Sequence, residues 1–408
     1  MIDLFELAGN EGAVEVTPLA RKLTISGQTK TYPVYRIRLD LLRYNVLNDR
    51  IATWVSEYQE EHDGCAPDEG NLSEFNDIIE GYIYRSDPER LDATKRNIAE
   101  HGQQEPGVVL PNGLVIDGNR RFTCLRKLAR DNDKFSWFEA SILPAELGGN
   151  REALKCLELA LQFGREERVG YDPIDRLVGV YRDLIDPETK ISSLSVEKYA
   201  RSANIPVAKL NGYMTRANLM VEFLDFINAP KRFSLARNLH IDGPLGELEN
   251  LFKKCHDREE QERVKAHAFA NMLVEPRDIT RFLREMKKIV AAGDCEEYLA
   301  KEDELTERVL MKLETLPDMT AETIREEIRS DAELKWEMDQ TVKNAAVGAK
   351  KSGLLRAPVK AFETARTSLE QVDPAILAHY TPEQQSEIRE GIMTVREVLD
   401  EIESALSV

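Results

Sequence analysis

The chain has 408 residues, 42% of them hydrophobic and 31% charged, with 55 Lys+Arg against 73 Asp+Glu and a formal net charge of -18. That length suits two or three domains of about 150 residues each. The acidity excludes a protein that coats nucleic acid by bulk attraction, because phosphate binding needs clustered positive charge, but it leaves a local basic site open.

In chain order, residues 13–40 alternate as extended structure, split by the turn signal Gly27-Gln28-Thr29-Lys30. Tyr44 to Gln59 reads as a loop entering a helix, and 61–72 as a flexible loop. Leu91 to His101 has helical spacing and stops at Gly102, a C-cap residue. Two short apolar strands, 107–110 and 114–116, flank the turn Pro111-Asn112-Gly113. Arg120 to Arg130 is a helix with Phe122, Leu125, Leu128 and Ala129 at helical spacing, and Trp137 to Leu143 is a strand. From Arg151 onward the pattern is almost all helical. Asp172-Pro173 opens one helix, and Ser195 to Tyr213 holds two short ones. Further helices fill 218–228, 246–293, 296–315, 320–345, 359–371 and 382–406, with Asn344 to Pro358 as the best linker. The expected fold class is therefore α+β, a small mixed-sheet domain followed by a predominantly helical body.

No apolar run reaches the ~18 residues of a membrane span, and Met1 to Val16 lacks the basic and apolar regions of a secretory signal. Cys65, Cys124, Cys156, Cys255 and Cys295 are scattered with no CxxC pair, as in reduced thiols of a cytoplasmic protein. Cys255-His256 with His267 fits no zinc template, and no metal site is expected. H-E-x-x-H, Walker A and G-x-G-x-x-G motifs are absent.

The most informative segment is strand, Asp117-Gly118-Asn119-Arg120-Arg121, helix. A helix amino terminus leaves backbone N–H groups pointing outward, and its dipole adds partial positive charge. A glycine just before it admits a phosphate to the backbone, and two arginines add forked donors. The alternative is an ordinary strand–turn–helix with solvated arginines.

The run from helix through Gly102, Pro106 and a strand to Gly118-Asn119-Arg120-Arg121-Phe122 resembles the amino-terminal domain of the ParB/sulfiredoxin superfamily, whose members carry a G-x-R-R turn after a strand pair. Sulfiredoxin has its catalytic cysteine where this chain has Asn119, so that chemistry is not supported. ParB proteins continue with Glu-Asn-x-Gln-Arg-Glu, then Asn-Pro-x-Glu-Ala, then a helix-turn-helix. Here Leu161-Gln162-Phe163-Gly164-Arg165-Glu166-Glu167 and Tyr171-Asp172-Pro173-Ile174-Asp175 follow in the same order. The match covers about 90 to 225, roughly a third of the chain. The resemblance implies a nucleoside triphosphate, CTP or ATP, with Mg2+, held by Gly118, Asn119, Arg120, Arg121, Gln162, Arg165 and Glu166. Arg43, Asn45 and Arg50 of the preceding loop would border it; the alternative is a surface loop with its own turn hydrogen bonds. Leu161 replaces a family glutamate and can neither ligate a metal nor activate water, which argues against hydrolysis.

Ser195 to Leu210 has the frame of a helix-turn-helix, with small Ala200 at the crossing and Asn204 at the turn. Its second helix, from about Val207 to Arg216, would present Lys209, Asn211, Tyr213, Thr215 and Arg216 to DNA; the alternative is a plain three-helix packing unit. Residues 101–220 hold 17 Lys+Arg and 16 Asp+Glu, whereas 291–408 hold 14 and 26. The acidic helices of 291–408 read as solvated faces, as a docking surface for a basic or helical partner, or as a dimer element.

The expected organisation is a ParB/sulfiredoxin-like domain (1–150), a helix-turn-helix domain (151–230), an acidic helical domain (231–345) and a carboxy-terminal helical segment (346–408). The expected function is a ParB-like, nucleotide-responsive DNA-binding protein of a prokaryote or its phage or plasmid. Two alternatives stay open. One is a nuclease or nucleotide hydrolase using Asp117, Glu166, Glu167 or Asp172. The other is a defence or regulatory adaptor that binds a protein through its acidic helices.

Overall fold

The structure, a computed structural model, describes residues 2–8, 12–25, 27–163, 172–293, 295–377 and 379–406, apart from the side chains of 163, 352–356 and 360. They form two compact units, Met1–Lys343 and Asn344–Val408. The fold is α+β. Strands β1 (Val14–Ile25), β2 (Gln28–Arg38), β3 (Arg43–Tyr44), β4 (Gly107–Val109), β5 (Leu114–Asp117) and β6 (Trp137–Ile142) form one sheet in the order β1-β2-β6-β4-β5-β3. The β1–β2 hairpin turns at Gly27 (φ +80°), with Ile25 opposite Gln28. β6 pairs antiparallel with β2 and parallel with β4; β5 pairs antiparallel with β4 and parallel with β3, so the sheet is mixed.

Alternation along the strands gives the sheet two apolar faces. Ile37, Val109, Val115 and Phe138 pack with residues of α2 (Leu72–Ser86), α3 (Pro88–His101) and α4 (Asn119–Ala129). Val108, Ile116 and Ile25 face the other way, onto Leu154, Leu157 and Leu161 of α5 (Arg151–Phe163). α1 (Ala52–Glu61) precedes these helices. The helical body continues with α6 (Pro173–Val180), a π turn (Tyr181–Ile185), α7 (Val196–Ser202) and α8 (Val207–Phe226). It goes on through α9 (Phe233–Asn238), α10 (Asp242–Phe252), α11 (Arg258–Val274), α12 (Ile279–Ala292), α13 (Glu296–Thr315) and the short α14 (Ala321–Thr323). α15 (Ala332–Glu370), α16 (Pro374–Leu377) and α17 (Pro382–Leu406) complete the chain.

Several expectations change. The stretch 246–293 is three helices, interrupted where Asp257 and Asp278 cap new amino termini and Glu275 turns left-handed at φ +52°. The expected linker 344–358 is helical within α15, with Pro358 inside it. α8 runs on to Phe226, absorbing the helix expected to start at 218. His267 bonds Asp303 (2.6 Å) and His256 bonds Glu260 (2.9 Å), separately from each other.

One buried ion network ties the sheet to the body. The Lys155 ammonium of α5 donates to Asp49 (2.8 Å) and lies 2.8 Å from Asp183, while Arg182 reaches Asp49 (2.6 Å) and Asp183 (3.1 Å). Asp49 belongs to the segment after β3; the other two partners belong to the π turn. Gly179 makes room, since a β-carbon there would sit 2.6 Å from Cγ of Asp49. Glu158 completes the group 3.7 Å from Lys155, and burial pushes its carboxyl from 4.5 up to about 7.

Removing one partner of a buried network leaves uncompensated charge. Lys155→Met is therefore expected to cost about 3–5 kcal/mol in urea denaturation; an unchanged midpoint would remove the network from the stability argument. Because folding raises the Glu158 pKa, its stabilising contribution is complete below about 4.5 and fades as pH rises toward 7. Glu158→Gln should flatten that slope, by on the order of 3 kcal/mol across the interval, measured as stability against pH.

Candidate functional site

A cleft of about 310 Å³ opens at the carboxyl end of β5, where α4 begins. Its lining includes Gly118, Asn119, Arg120 and Arg121 from the turn, Leu161 and Gln162 from α5, and Asn48 and Arg50 from the segment after β3. Ile83, Ser86, Thr94, Glu105, Ile116 and Asp117 complete it. Gly118 caps α4 in the left-handed region (φ +101°, ψ 16°), and a β-carbon there would stand 2.9 Å from the Phe138 ring. Only glycine meets both demands. The Phe122 amide is the first to bond back, to the Gly118 carbonyl (2.9 Å). The amides of Asn119 and Arg120 precede that first helical bond, as the first amides of any helix do. Asn119 Oδ1 is buried with no hydrogen-bond partner among the described residues.

The two arginines of the turn do different work. Arg121 braces it: its guanidinium donates to the carbonyls of Glu105 and Pro106 and lies 3.4 Å from the Asp117 carboxylate. Asp117 also accepts from Arg21 (2.9 Å), which donates to the Pro106 carbonyl as well (2.6 Å). Arg120 bonds one carboxylate, Asp87 (3.1 Å). Burial, with the neighbouring charges of Arg50 and Arg90 added, brings its pKa down to about 10 against the opposing pull of Asp87. An excess of positive charge gathered at a helix amino terminus is what an oxyanion neutralises. Ile83, Ile116 and Leu161 are the apolar residues of the lining, Ile83 from the core on the α2 face of the sheet and the other two from the core under α5.

Of the residues expected here, Gly118 to Arg121 and Gln162 are brought together, and Gln162 donates to Glu158 (3.2 Å). Arg165 and Glu166 lie outside the described residues. Arg43 and Asn45 are not in the cleft lining: Arg43 pairs with Glu69, and Asn45 is buried, accepting from the Leu47 amide in a tight turn. The loop's contribution comes a few residues later, from Asn48 and Arg50. Cys124 is buried on α4, and burial pushes its thiol up to about 12, away from nucleophilic chemistry.

The second expected site is a helix-turn-helix in form. Ser195 caps α7, Ala200 is buried at the crossing, Asn204 adopts φ +51°, and the Ile205 amide closes on the Ala200 carbonyl (3.0 Å). Lys209, Asn211 and Thr215 are exposed on α8. Tyr213 is a correction: it is buried, and its hydroxyl accepts from Arg176 of α6 (2.9 Å). Arg216 is half-buried, stacked over the Tyr213 ring at 5.0 Å and 3.9 Å from Asp242. The face open to a ligand is therefore the first part of α8.

The cleft fits a phosphate-bearing ligand through the α4 amino terminus and Arg120, while Asn119 Oδ1, an acceptor, would meet a hydroxyl or amine of the same ligand. It fits a divalent ion poorly. Among the described residues no three His, Cys, Asp or Glu side chains converge to hold a metal, and Asp117 already serves two guanidinium groups. No helix of the described residues is long and apolar enough to cross a membrane. Compared with family models, characterised proteins and solved structures, the chain gives no match.

The two arginines are separable. Arg121→Ala should cost about 1–3 kcal/mol, because it takes the Arg121 donor from the Glu105 carbonyl and leaves Asp117 and the Pro106 carbonyl to Arg21 alone. Arg120→Ala should leave stability within about 0.5 kcal/mol, as it relieves a crowd of cations at the expense of one ion pair. Urea denaturation of the two variants reads the difference, and equal losses would refute the division of roles.

Proposed function

We propose that the chain is a ParB-like, nucleotide-responsive DNA-binding protein. On this reading the turn Gly118 to Arg121 holds the phosphates of a nucleoside triphosphate, and the apolar lining residues Ile83, Ile116 and Leu161 meet its less polar parts. The observation that carries it is the convergence, in one cleft, of the α4 amino terminus behind Gly118 with the crowded Arg120 charge, beside the unpartnered Asn119 oxygen that would accept from a ligand hydroxyl or amine. DNA would be met by Lys209, Asn211 and Thr215 on the exposed start of α8. Support for a response to nucleotide comes from connectivity. Gln162 in the cleft bonds Glu158, which belongs to the ion network holding the π turn just ahead of α7. A ligand that prefers one arrangement of that network shifts the population of the helix-turn-helix behind it.

A hydrolytic or nucleolytic reading has less behind it. Leu161 has no atom that accepts a proton, and Asp117 is engaged by Arg21 and Arg121.

A thermal-shift panel of the four ribonucleoside triphosphates, with and without Mg2+ and duplex DNA, tests the proposal. The bound nucleotide at ~100 times its Kd should add about 2.7 kcal/mol of stability. Arg120→Ala should weaken it roughly 10- to 100-fold, the loss of one charge-assisted contact. Lys209→Ala should weaken DNA binding with nucleotide affinity unchanged. Stabilisation by no nucleotide, or equal affinity in Arg120→Ala, would overturn the cleft assignment.

A further inference from the structure

The packed helices α11 and α13 hold a set of buried polar atoms that the nucleotide and DNA reading does not use. Asn271 on α11 and Glu302 on α13 are 0% exposed, and Tyr298 and Thr306, one turn to either side of Glu302, are 5% and 6% exposed. Positions 298, 302 and 306 fall on one stripe of α13, because residues four apart on a helix are neighbours. Glu302 of that stripe faces Asn271, whose Nδ2 donates to its Oε2 at 2.7 Å. Asn271 Oδ1, Glu302 Oε1 and the hydroxyls of Tyr298 and Thr306 have no hydrogen-bond partner among the described residues. Thr306 departs from its own kind here. Thr94, Thr215, Thr341, Thr367 and Thr394 each turn the hydroxyl back onto the carbonyl four residues earlier. Thr306 leaves that bond unmade, and its hydroxyl stays inside the seam.

Buried polar atoms are almost always paired, so four orphaned oxygens on two facing stripes need an occupant. Charge says which kind. Glu302 makes no ion pair among the described residues, since Arg263 and His267 of α11 both turn to the next residue, Asp303, at 2.6 Å each. Water would satisfy the oxygens but leave a buried carboxylate uncompensated. A proton would neutralise Glu302 but leave the Asn271, Tyr298 and Thr306 oxygens as they are. A cation does both. One carboxylate among neutral oxygens carries a single negative charge, which suits an alkali ion. Calcium takes more oxygen ligands and more carboxylates, and softer metals select nitrogen or sulfur.

We propose that Asn271, Tyr298, Glu302 and Thr306 line a buried site for a monovalent cation, K+ or Na+, that ties α11 to α13. α11 in turn supports α8: Phe269 meets the Phe223 ring edge-on at 5.5 Å, and Lys265 pairs with Glu222 at 2.7 Å. The site therefore lies one helix behind the helix-turn-helix, and it is independent of the cleft.

Thermal unfolding of the full chain in KCl, NaCl and choline chloride at equal ionic strength tests the site. The buffer is held above pH 8, because burial pushes the Glu302 carboxyl up to about 8. The alkali ion that fits should raise the unfolding temperature over choline by about 2–4 °C, and the difference between K+ and Na+ identifies it. Glu302→Gln should erase the preference. Thr306→Val, which keeps the shape and removes one oxygen, should reduce it with circular dichroism unchanged. Crystals grown with Rb+ or Tl+ should show an anomalous peak between α11 and α13. Equal unfolding temperatures in the three salts overturn the proposal and leave the seam to water. So does an alkali preference that survives Glu302→Gln, which reports a general salt effect, or the lack of an anomalous peak in that seam.

Discussion

The Lys155 ammonium, held among Asp49, Asp183 and Glu158, is the interaction on which the layout of the first unit depends. It joins three pieces of chain that are far apart in sequence: the segment after β3, the α5 helix on the far face of the sheet, and the π turn after α6. Two cations, Lys155 and Arg182, stand against three carboxylates. Burial resolves the imbalance by disfavouring charge on Glu158, while Lys155 and Arg182 overcome the same burial cost at Asp183 and hold its pKa below the usual value. The result is a near-neutral group that survives out of water only while its geometry is kept.

The cleft inherits its shape from that group. Asp49 is flanked by Asn48 and Arg50, which line the cleft, and Glu158 accepts from Gln162, which lines it from the other side. The turn Gly118 to Arg121 supplies the floor by local rules alone. Its walls arrive from two directions because Lys155 pins both. Gly179 belongs to this constraint although it is distant from the cleft in sequence, since any side chain there would push Asp49 off Lys155.

Legibility in the sequence follows the range of the forces involved. The hairpins, the α4 amino terminus and the Asn204 turn were readable because each is set by a few adjacent residues: Gly27, Gly118 and Asn204 take the positive φ their turns require. α2 escaped the reading. Its buried face includes Asn76, which bonds the Tyr44 amide and the Leu42 carbonyl, and Glu80, which pairs with Arg126 and Arg130, so polar residues interrupt the apolar stripe. Of the loop candidates Arg43, Asn45 and Arg50, Arg50 alone lines the cleft, because residue type does not say which loop residue faces the turn; the Lys155–Asp49 bond beside Arg50 decides it. Tyr213 fails as a DNA contact for a similar reason, its hydroxyl being claimed by an arginine on a different helix.

Among the described residues, Asp117 and Gln162, which line the cleft, are already engaged with neighbouring groups. A phosphate at the α4 amino terminus would relieve Arg120, whose charge is held at a cost by burial and by Arg50. Bond cleavage would further require a group that takes a proton from water. At the α5 wall stands Leu161, and beside it Gln162, an amide already committed to Glu158. Asp117 is neutralised by two guanidinium groups that also hold the turn in place, so freeing it as a base would release Arg121 and with it the Gly118 to Arg121 turn. Binding and hydrolysis therefore place opposite demands on Asp117.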